Sequence, residues 1–294
     1  MRYHIRRLLG GLLAAAILLL CGCSAVTAQP SAASAASASP ASASGATDLK
    51  VYCFSAGKAD AILLYTDESA VLIDTGNSGF GKEICAYLEE QGISTLDYLI
   101  LTHFDKDHVG GAAKVLKSVT VKNVLQSDCP KDSSEYEKYL AALDGAGLTA
   151  ATVRDTLTFT LDGIGYTVDP PAQTDYAVDA SNNSSLIVSA TCGEKRFLFA
   201  GDAEDARLQE YLAENPGTCD FLKVPYHGHD QSSLASFLAA VQPAYAVITS
   251  SDDEPEDAAA VKKLQDAGAE VYLTRTAPVL AECDGETLTV QYAQ

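Results

Sequence analysis

Histidines and aspartates concentrate in two short segments of the chain. Four of the five histidines form two close pairs, which are His103 with His108 and His227 with His229. The first pair encloses two aspartates, Asp105 and Asp107, in the segment HFDKDHVGG. Imidazole and carboxylate groups are the usual protein ligands of zinc and manganese ions. The two segments therefore predict a divalent-metal site of the kind that supports hydrolysis.

The backbone conformation expected of the first segment would bring its ligands together. Alternate residues of an extended segment share a face, so His103, Asp105 and Asp107 are expected to converge. His108 is expected to reach the same point where the chain turns into a glycine-led helix. The alternative is an exposed, charged turn with no ligand.

The elements that position these segments are mostly short strands. Apolar runs such as LKVYCFSA, DAILLYT and AVLID predict strands, and LDYLILT and DFLKVPY predict strands that run into the two histidine segments. Helical periodicity appears between groups of strands, for example in FGKEICAYLEEQ. This order favours stacked layers of sheet and helix over a doubly wound parallel sheet.

The motif THFDKDHVGG resembles the metallo-β-lactamase signature HxHxDH, in a variant whose second histidine is an aspartate. This variant is similar to the ComEC-type competence hydrolase domain and its free-standing lipoprotein relatives. Further resemblance lies in FSAGKAD, VLIDTG, NNSSL, FAGD and KVPYHG. The resemblance implies an α+β fold, an αββα sandwich of two mixed β-sheets flanked by helices.

The resemblance also implies one or two divalent ions, zinc or manganese, with six ligands. These are His103 and Asp105 for one ion, Asp107, His108 and His227 for the other, and Asp202 as the bridge. The implied catalytic carboxylates are Asp105, Asp107 and Asp202, and one of the first two accepts a proton. Asp74 is implied as an outer partner that orients a ligand histidine; the alternative is a structural role in the Asp-Thr-Gly turn.

The site departs from the family pattern at two points, and the first of them affects the first ion. The histidine expected about twenty residues before Asp202 is missing, and Asn182 or Asn183 stands near that position. We expect Asn183 to be a weak ligand or an outer partner. The second departure is Tyr226, which replaces the first histidine of the family's HHG pair. The two metal positions are therefore expected to differ in affinity.

The first 48 residues differ in composition from the remainder. Residues 1–22 combine a basic start with a short apolar run, which is typical of an export signal. The sequence LCGC resembles a lipoprotein box, with Cys23 as the lipidated residue; an ordinary signal peptide or an uncleaved anchor helix is the alternative. The Ala- and Ser-rich segment 23–48 predicts a linker, and residues 49–294 predict one hydrolase domain. This organisation predicts a lipid-anchored protein on the extracytoplasmic face of a bacterial cell membrane.

Charge restricts the substrate classes. The formal net charge is −19, which opposes tight binding of nucleic acid but leaves a small phosphodiester or nucleic-acid substrate open. Three hypotheses remain: a phosphodiesterase or nuclease, a hydrolase of another ester or amide, and a non-catalytic metal-binding surface lipoprotein. The oligomeric state is left open.

Overall fold

The computed structural model describes residues 48–294, which form two β-sheets and eight α-helices. The strands of the first sheet are β1 (Leu49–Cys53), β2 (Ile62–Tyr65), β3 (Ala70–Ile73), β4 (Thr95–Leu101), β5 (Thr120–Gln126), β6 (Ala151–Thr152), β14 (Val279–Cys283) and β15 (Leu288–Tyr292). The strands of the second sheet are β7 (Leu157–Leu161), β8 (Ile164–Asp169), β9 (Ile187–Cys192), β10 (Lys195–Phe199), β11 (Phe221–Lys223), β12 (Tyr245–Ile248) and β13 (Glu270–Leu273).

The eight helices lie between strands in the sequence. They are α1 (Gly81–Glu90), α2 (Lys106–Val109), α3 (Ala112–Ser118), α4 (Ser134–Gly145), α5 (Ala180–Asn183), α6 (Asp205–Ala213), α7 (Leu234–Val241) and α8 (Ala258–Asp266). A short 3-10 helix spans Pro225–Gly228. None of the helices in the described part of the chain is long and apolar enough to cross a membrane.

Both sheets are mixed. The first has the strand order β15-β14-β1-β2-β3-β4-β5-β6, and the second has the order β13-β12-β11-β10-β9-β8-β7. Strands β3 to β6 are parallel, as are strands β10 to β13, and the other pairs are antiparallel. Each sheet therefore has a parallel half whose strands end at one edge.

Alternating side chains build three apolar layers. On β3, Val71 and Ile73 face the core between the sheets, whereas Leu72 packs under α1, α3 and α4. On β10, Phe199 faces the same central core and Leu198 packs under α6, α7 and α8. A strand buried on both faces in this way reads as a continuous apolar run. The expected αββα sandwich of two mixed sheets is confirmed.

The predicted export signal, the lipidation site at Cys23 and nearly all of the predicted linker lie outside the described residues. They remain predictions.

Candidate metal centre

The first histidine segment follows the carboxyl end of β4. His103 is fully buried two residues after the strand, and Asp105, the residue that precedes α2, has an extended conformation. The expectation that Asp107 continues the extended face is wrong, because Asp107 and His108 both belong to α2. The helical turn separates Asp107 from Asp105, so the two carboxylates serve different parts of the site.

The second parallel half-sheet supplies the remaining predicted ligands. Asp202 follows β10, and His227 lies in the 3-10 helix after β11. Both residues are at most 2% exposed. The ring centroids of His108 and His227 are 5.3 Å apart although 119 positions separate them in the chain.

Four side chains meet at one point and form what we call the four-ligand cluster, which consists of Asp107, His108, Asp202 and His227. The Asp202 Oδ2 atom lies 3.3 Å from His108 Nε2 and 3.1 Å from His227 Nε2. The two Nε2 atoms are 3.4 Å apart, and His227 Nε2 is 3.6 Å from Asp107 Oδ2.

These separations fit a small divalent ion. Ligand atoms about 2.0–2.2 Å from a tetrahedral ion lie about 3.3–3.6 Å from one another. Within the described residues, Asp202 Oδ1 and His103 Nε2 are also buried without a hydrogen-bond partner. Buried polar atoms are rarely left without a partner, so both atoms are suited to a cation. The chemistry and spacing of the donors therefore fit a metal ion.

Outer partners fix the orientation of both histidine rings in the cluster. His108 Nδ1 lies 2.8 Å from Asp74 Oδ2, and His227 Nδ1 lies 2.9 Å from the carbonyl oxygen of Thr249. Each Nδ1 therefore donates its proton, which leaves the Nε2 lone pair directed at the cluster. Asp74 is fully buried and also accepts hydrogen bonds from the backbone N–H and hydroxyl of Thr102.

The backbone around the cluster is held in an uncommon conformation. Asp74, Tyr226 and His227 have φ values of 57°, 49° and 51°. The left-handed region costs an ordinary residue roughly 1–2 kcal/mol, and such strain is typical of functional sites. The surrounding packing thus holds His227 in a position that the local sequence alone does not favour.

A buried ion pair lies beneath the cluster. Lys223 and Asp60 are almost fully buried and form an ion pair, and Lys223 Nζ also lies 3.7 Å from Asp202 Oδ1. Asp60 accepts a hydrogen bond of 2.6 Å from the hydroxyl of Thr249. The sequence motifs contain both Asp60 and Lys223, but nothing in them indicates that these residues pair. Since these contacts occupy Asp60, we interpret it as support for the cluster.

The predicted ligands His103 and Asp105 lie at the side of the cluster. His103 Nε2 is 3.9 Å from Asp105 Oδ1, and the rings of His103 and His108 are 4.0 Å apart. The same Asp105 oxygen pairs with Lys131 and accepts a hydrogen bond from the hydroxyl of Ser181. Sequence reasoning missed both Lys131 and Ser181, and neither belongs to a recognisable motif.

The two asparagines expected near the first metal position have other partners. Asn183 Oδ1 accepts a hydrogen bond from the backbone N–H of Arg207 in the first turn of α6, and its amide donates to Val178. The Asn182 amide donates to Glu204. Asn183 thus supports the first turn of α6, and these two hydrogen bonds reach no predicted metal ligand.

The charges in the cluster shift its protonation equilibria. Although burial opposes both shifts, Asp202 raises the pKa of His108 and of His227. The two rings in turn lower the pKa of Asp202 well below its usual range, against the effect of burial. Burial and the neighbouring His108 lower the pKa of His103 to about 4, so His103 is neutral at pH 7.

The rim of the site carries Lys58, Tyr226 and His229. The Lys58 ammonium lies 3.3 Å from Asp107 Oδ2 and 5.9 Å from the centre of the Tyr226 ring. His229 is partly exposed and lies 3.6 Å from Asp257, outside the cluster. The second histidine pair therefore contributes one member to the cluster, His227.

The comparison with protein families matches residues 55–250 to the metallo-beta-lactamase superfamily. Among curated proteins, ComE operon protein 3 of Bacillus subtilis is 32% identical over 169 residues, which cover 57% of this chain and 22% of that protein. Recombination protein 2 of Haemophilus influenzae is 29% identical over 206 residues, which cover 68% of this chain and 24% of that protein. The expected resemblance to the competence proteins is confirmed, and the chain spans about a quarter of the length of these relatives.

Solved structures support the same fold. The metallo-beta-lactamase fold protein YhfI from Bacillus subtilis is 13% identical, with a TM-score of 0.51 over 77% of this chain and 96% of that one. This likeness concerns the fold alone.

Proposed function

Because the chain belongs to the metallo-beta-lactamase superfamily, we propose that it is a metal-dependent hydrolase of phosphodiester bonds, a phosphodiesterase or nuclease. The observation that carries the proposal is the four-ligand cluster, whose two histidine rings are each held by an outer partner. A divalent ion bound there would lower the pKa of a water molecule towards about 7 and polarise the scissile group.

The carboxylate outside the cluster is suited to orient the attacking water. Asp105 has a partly exposed side chain beside His103. Although burial acts in the opposite direction, His103 and Lys131 lower the pKa of Asp105, so it is ionised and accepts hydrogen bonds at neutral pH. We therefore assign Asp105 the part of orienting that water by accepting its hydrogen bond, and Asp107 and Asp202 the part of metal ligands.

Two ammonium groups favour an anionic substrate. Lys58 pairs with Asp107 and Lys131 pairs with Asp105, and both side chains are partly exposed. These lysines place ammonium N–H donors beside the cluster in a chain whose net charge is −19. Lysine ammonium groups are common partners of phosphate oxygens. A neutral ester, amide or lactam would gain less from these ammonium groups than an anionic substrate, which is why we prefer a phosphodiester.

The relatives favour a nucleic-acid substrate at the cell envelope. The resemblance to competence and recombination proteins supports a role in DNA processing. The strongly acidic surface opposes long contacts with a polyanion, so we propose a short single-stranded end or a small phosphodiester. We further propose that Cys23 carries a lipid that anchors the protein to the extracytoplasmic membrane face.

A comparison of charged and neutral substrates tests the proposal. The full-length chain should hydrolyse bis(p-nitrophenyl) phosphate and short DNA oligonucleotides with Mn²⁺ or Zn²⁺, and should hydrolyse p-nitrophenyl acetate and a chromogenic β-lactam far more slowly. Lys58→Ala should raise KM for the phosphodiester and leave KM for the neutral ester unchanged. The control is Lys122→Ala, which removes a similar lysine that pairs with Asp97 away from the site. Preference for a neutral substrate would contradict the proposed substrate class.

The anchor has a separate test. Cys23→Ser should abolish labelling by a radioactive fatty acid and change the processing of the chain. Full labelling of the variant would exclude Cys23 as the lipidated residue.

A further inference from the structure

The part of the site formed by His103 and Asp105 contains a lysine ammonium. Lys131 lies in the loop between β5 and α4, and its Nζ atom forms an ion pair with Asp105 Oδ1. The same Nζ lies 3.3 Å from the hydroxyl of Ser181, which donates to the same carboxylate oxygen. The carboxylate that the family resemblance assigns to a metal is thus already bound by a cation of the chain itself.

The surroundings of Asp105 also lack a full set of metal ligands. His103 Nε2 lies 3.9 Å from Asp105 Oδ1. Among residues 48–294, no third imidazole, thiol or carboxylate has a ligand atom within 4.8 Å of both. The asparagine amides near this position bond to Arg207 and to Glu204. A metal ion there would have two protein ligands and would face an ammonium group.

The charges around the site balance with one divalent ion. Five carboxylates and three ammonium groups belong to the cluster, to Asp105 or to residues in contact with them. The carboxylates are Asp60, Asp74, Asp105, Asp107 and Asp202, and the ammonium groups are Lys58, Lys131 and Lys223. Histidines that bind a metal ion are neutral, so in the metal-bound site these side chains leave two negative charges for the ion to balance. Buried charges are retained only where they are paired, and one divalent ion completes the pairing.

We propose that Lys131 is the resident second cation of this site, so that the chain binds a single divalent ion, at the four-ligand cluster. The inference rests on the proposed function, because it specifies the metal content of the same site. A covalently held ammonium cannot dissociate, so hydrolysis needs one metal-binding event. The ammonium also presents N–H donors beside Asp105, where it can contact a phosphate oxygen of the substrate.

Metal stoichiometry tests this proposal without reference to turnover. The full-length chain is stripped with a chelator, dialysed against increasing Mn²⁺ concentrations and analysed by elemental mass spectrometry. We expect the wild type to saturate at one ion per chain. Lys131→His replaces the ammonium with an imidazole and should reach two ions per chain, whereas Lys131→Ala should bind the second ion more weakly. Lys122→Ala, which removes a lysine–aspartate pair away from the site, should still bind one ion per chain.

Electron paramagnetic resonance of the same samples supplies an independent signature. Wild type should show the hyperfine-split signal of isolated Mn²⁺, and Lys131→His should show the signal of an exchange-coupled pair. Because Lys131 lies in a loop and is partly exposed, the variants should fold, which circular dichroism can verify.

The outcomes separate this proposal from the proposed function. Two ions bound to the wild type would overturn the role of Lys131, and so would a stoichiometry of one in both Lys131 variants. If two ions bind and the phosphodiester is hydrolysed, only this inference fails. If one ion binds, Lys131→His binds two, and no phosphodiester is cleaved, only the proposed function fails.

Discussion

The two parts of the site begin in the same histidine segment but differ in how the rest of the molecule supports them. The four-ligand cluster draws on α2, on the end of β10 and on the 3-10 helix after β11, and both of its rings have outer partners. The pair His103 and Asp105 receives Lys131 and Ser181 instead. A ligand motif therefore indicates where a metal can bind, whereas residues distant in sequence decide whether each position is complete.

The largest expected effect comes from removing the carboxylate that the two cluster rings share. Asp202→Ala should weaken metal binding by well over about 100-fold, since loss of a mere outer partner already costs about 10–100-fold. The matched variant Asp105→Ala should keep its ion and lose activity. Isothermal titration with Mn²⁺ measures both. Equal loss of metal in the two variants would mean that the two parts of the site are equivalent.

The second histidine pair offers the next contrast. His227→Ala should lose most of its metal affinity because it removes one of four ligands. His229→Ala should keep full affinity, and as a surface change it should alter the free energy of unfolding by no more than about 0.5 kcal/mol. Elemental analysis of the dialysed proteins measures the difference. If His229→Ala lost more metal affinity than His227→Ala, the ligand would be His229 and our assignment would be wrong.

An intermediate effect is expected from the outer partner of His108. Asp74→Asn removes the negative charge that fixes the ring and should weaken metal binding by about 10–100-fold. Asp97→Asn changes another buried aspartate, one that contacts Lys122 and the backbone of Ala70, and should leave metal affinity unchanged. Titration of the two variants with Zn²⁺ provides the comparison. Unchanged affinity in Asp74→Asn would show that the ring is held by other contacts.

The smallest effect on metal binding is expected from a substitution of Asn183. Asn183→Ala should leave metal content unchanged, because its amide bonds to Arg207 and Val178. It should lower the free energy of unfolding by about 1–3 kcal/mol, since the buried N–H of Arg207 loses its acceptor. Urea unfolding and metal analysis of one preparation measure both quantities. A lower metal content in the folded variant would place Asn183 in the metal site after all.

Local sequence patterns predicted much of the fold. Apolar runs and turn residues indicated the strands, and the paired histidines indicated the ends of the strands that carry the ligands. Short elements such as β6 and α5 were missed, because two to four residues carry too little pattern. The extended conformation expected at Asp107 was wrong because α2 begins after Asp105.

The contacts that support the site could not be predicted from local sequence patterns. Asp60, Lys223 and Thr249 meet only after both sheets have formed, and 189 positions separate the first from the last. Lys131 lies in a loop without a motif, so only the folded chain shows that it contacts Asp105. Such contacts depend on tertiary structure rather than on local pattern.

The central claim is that the four-ligand cluster holds the ion on which hydrolysis depends. The most direct measurement follows the hydrolysis of bis(p-nitrophenyl) phosphate while Mn²⁺ is added to the chelator-stripped chain. We predict no hydrolysis in the stripped protein, a rate that rises with metal and levels off at one ion per chain, and no recovery in Asp202→Ala. Full activity without metal, or wild-type activity in Asp202→Ala, would contradict the account.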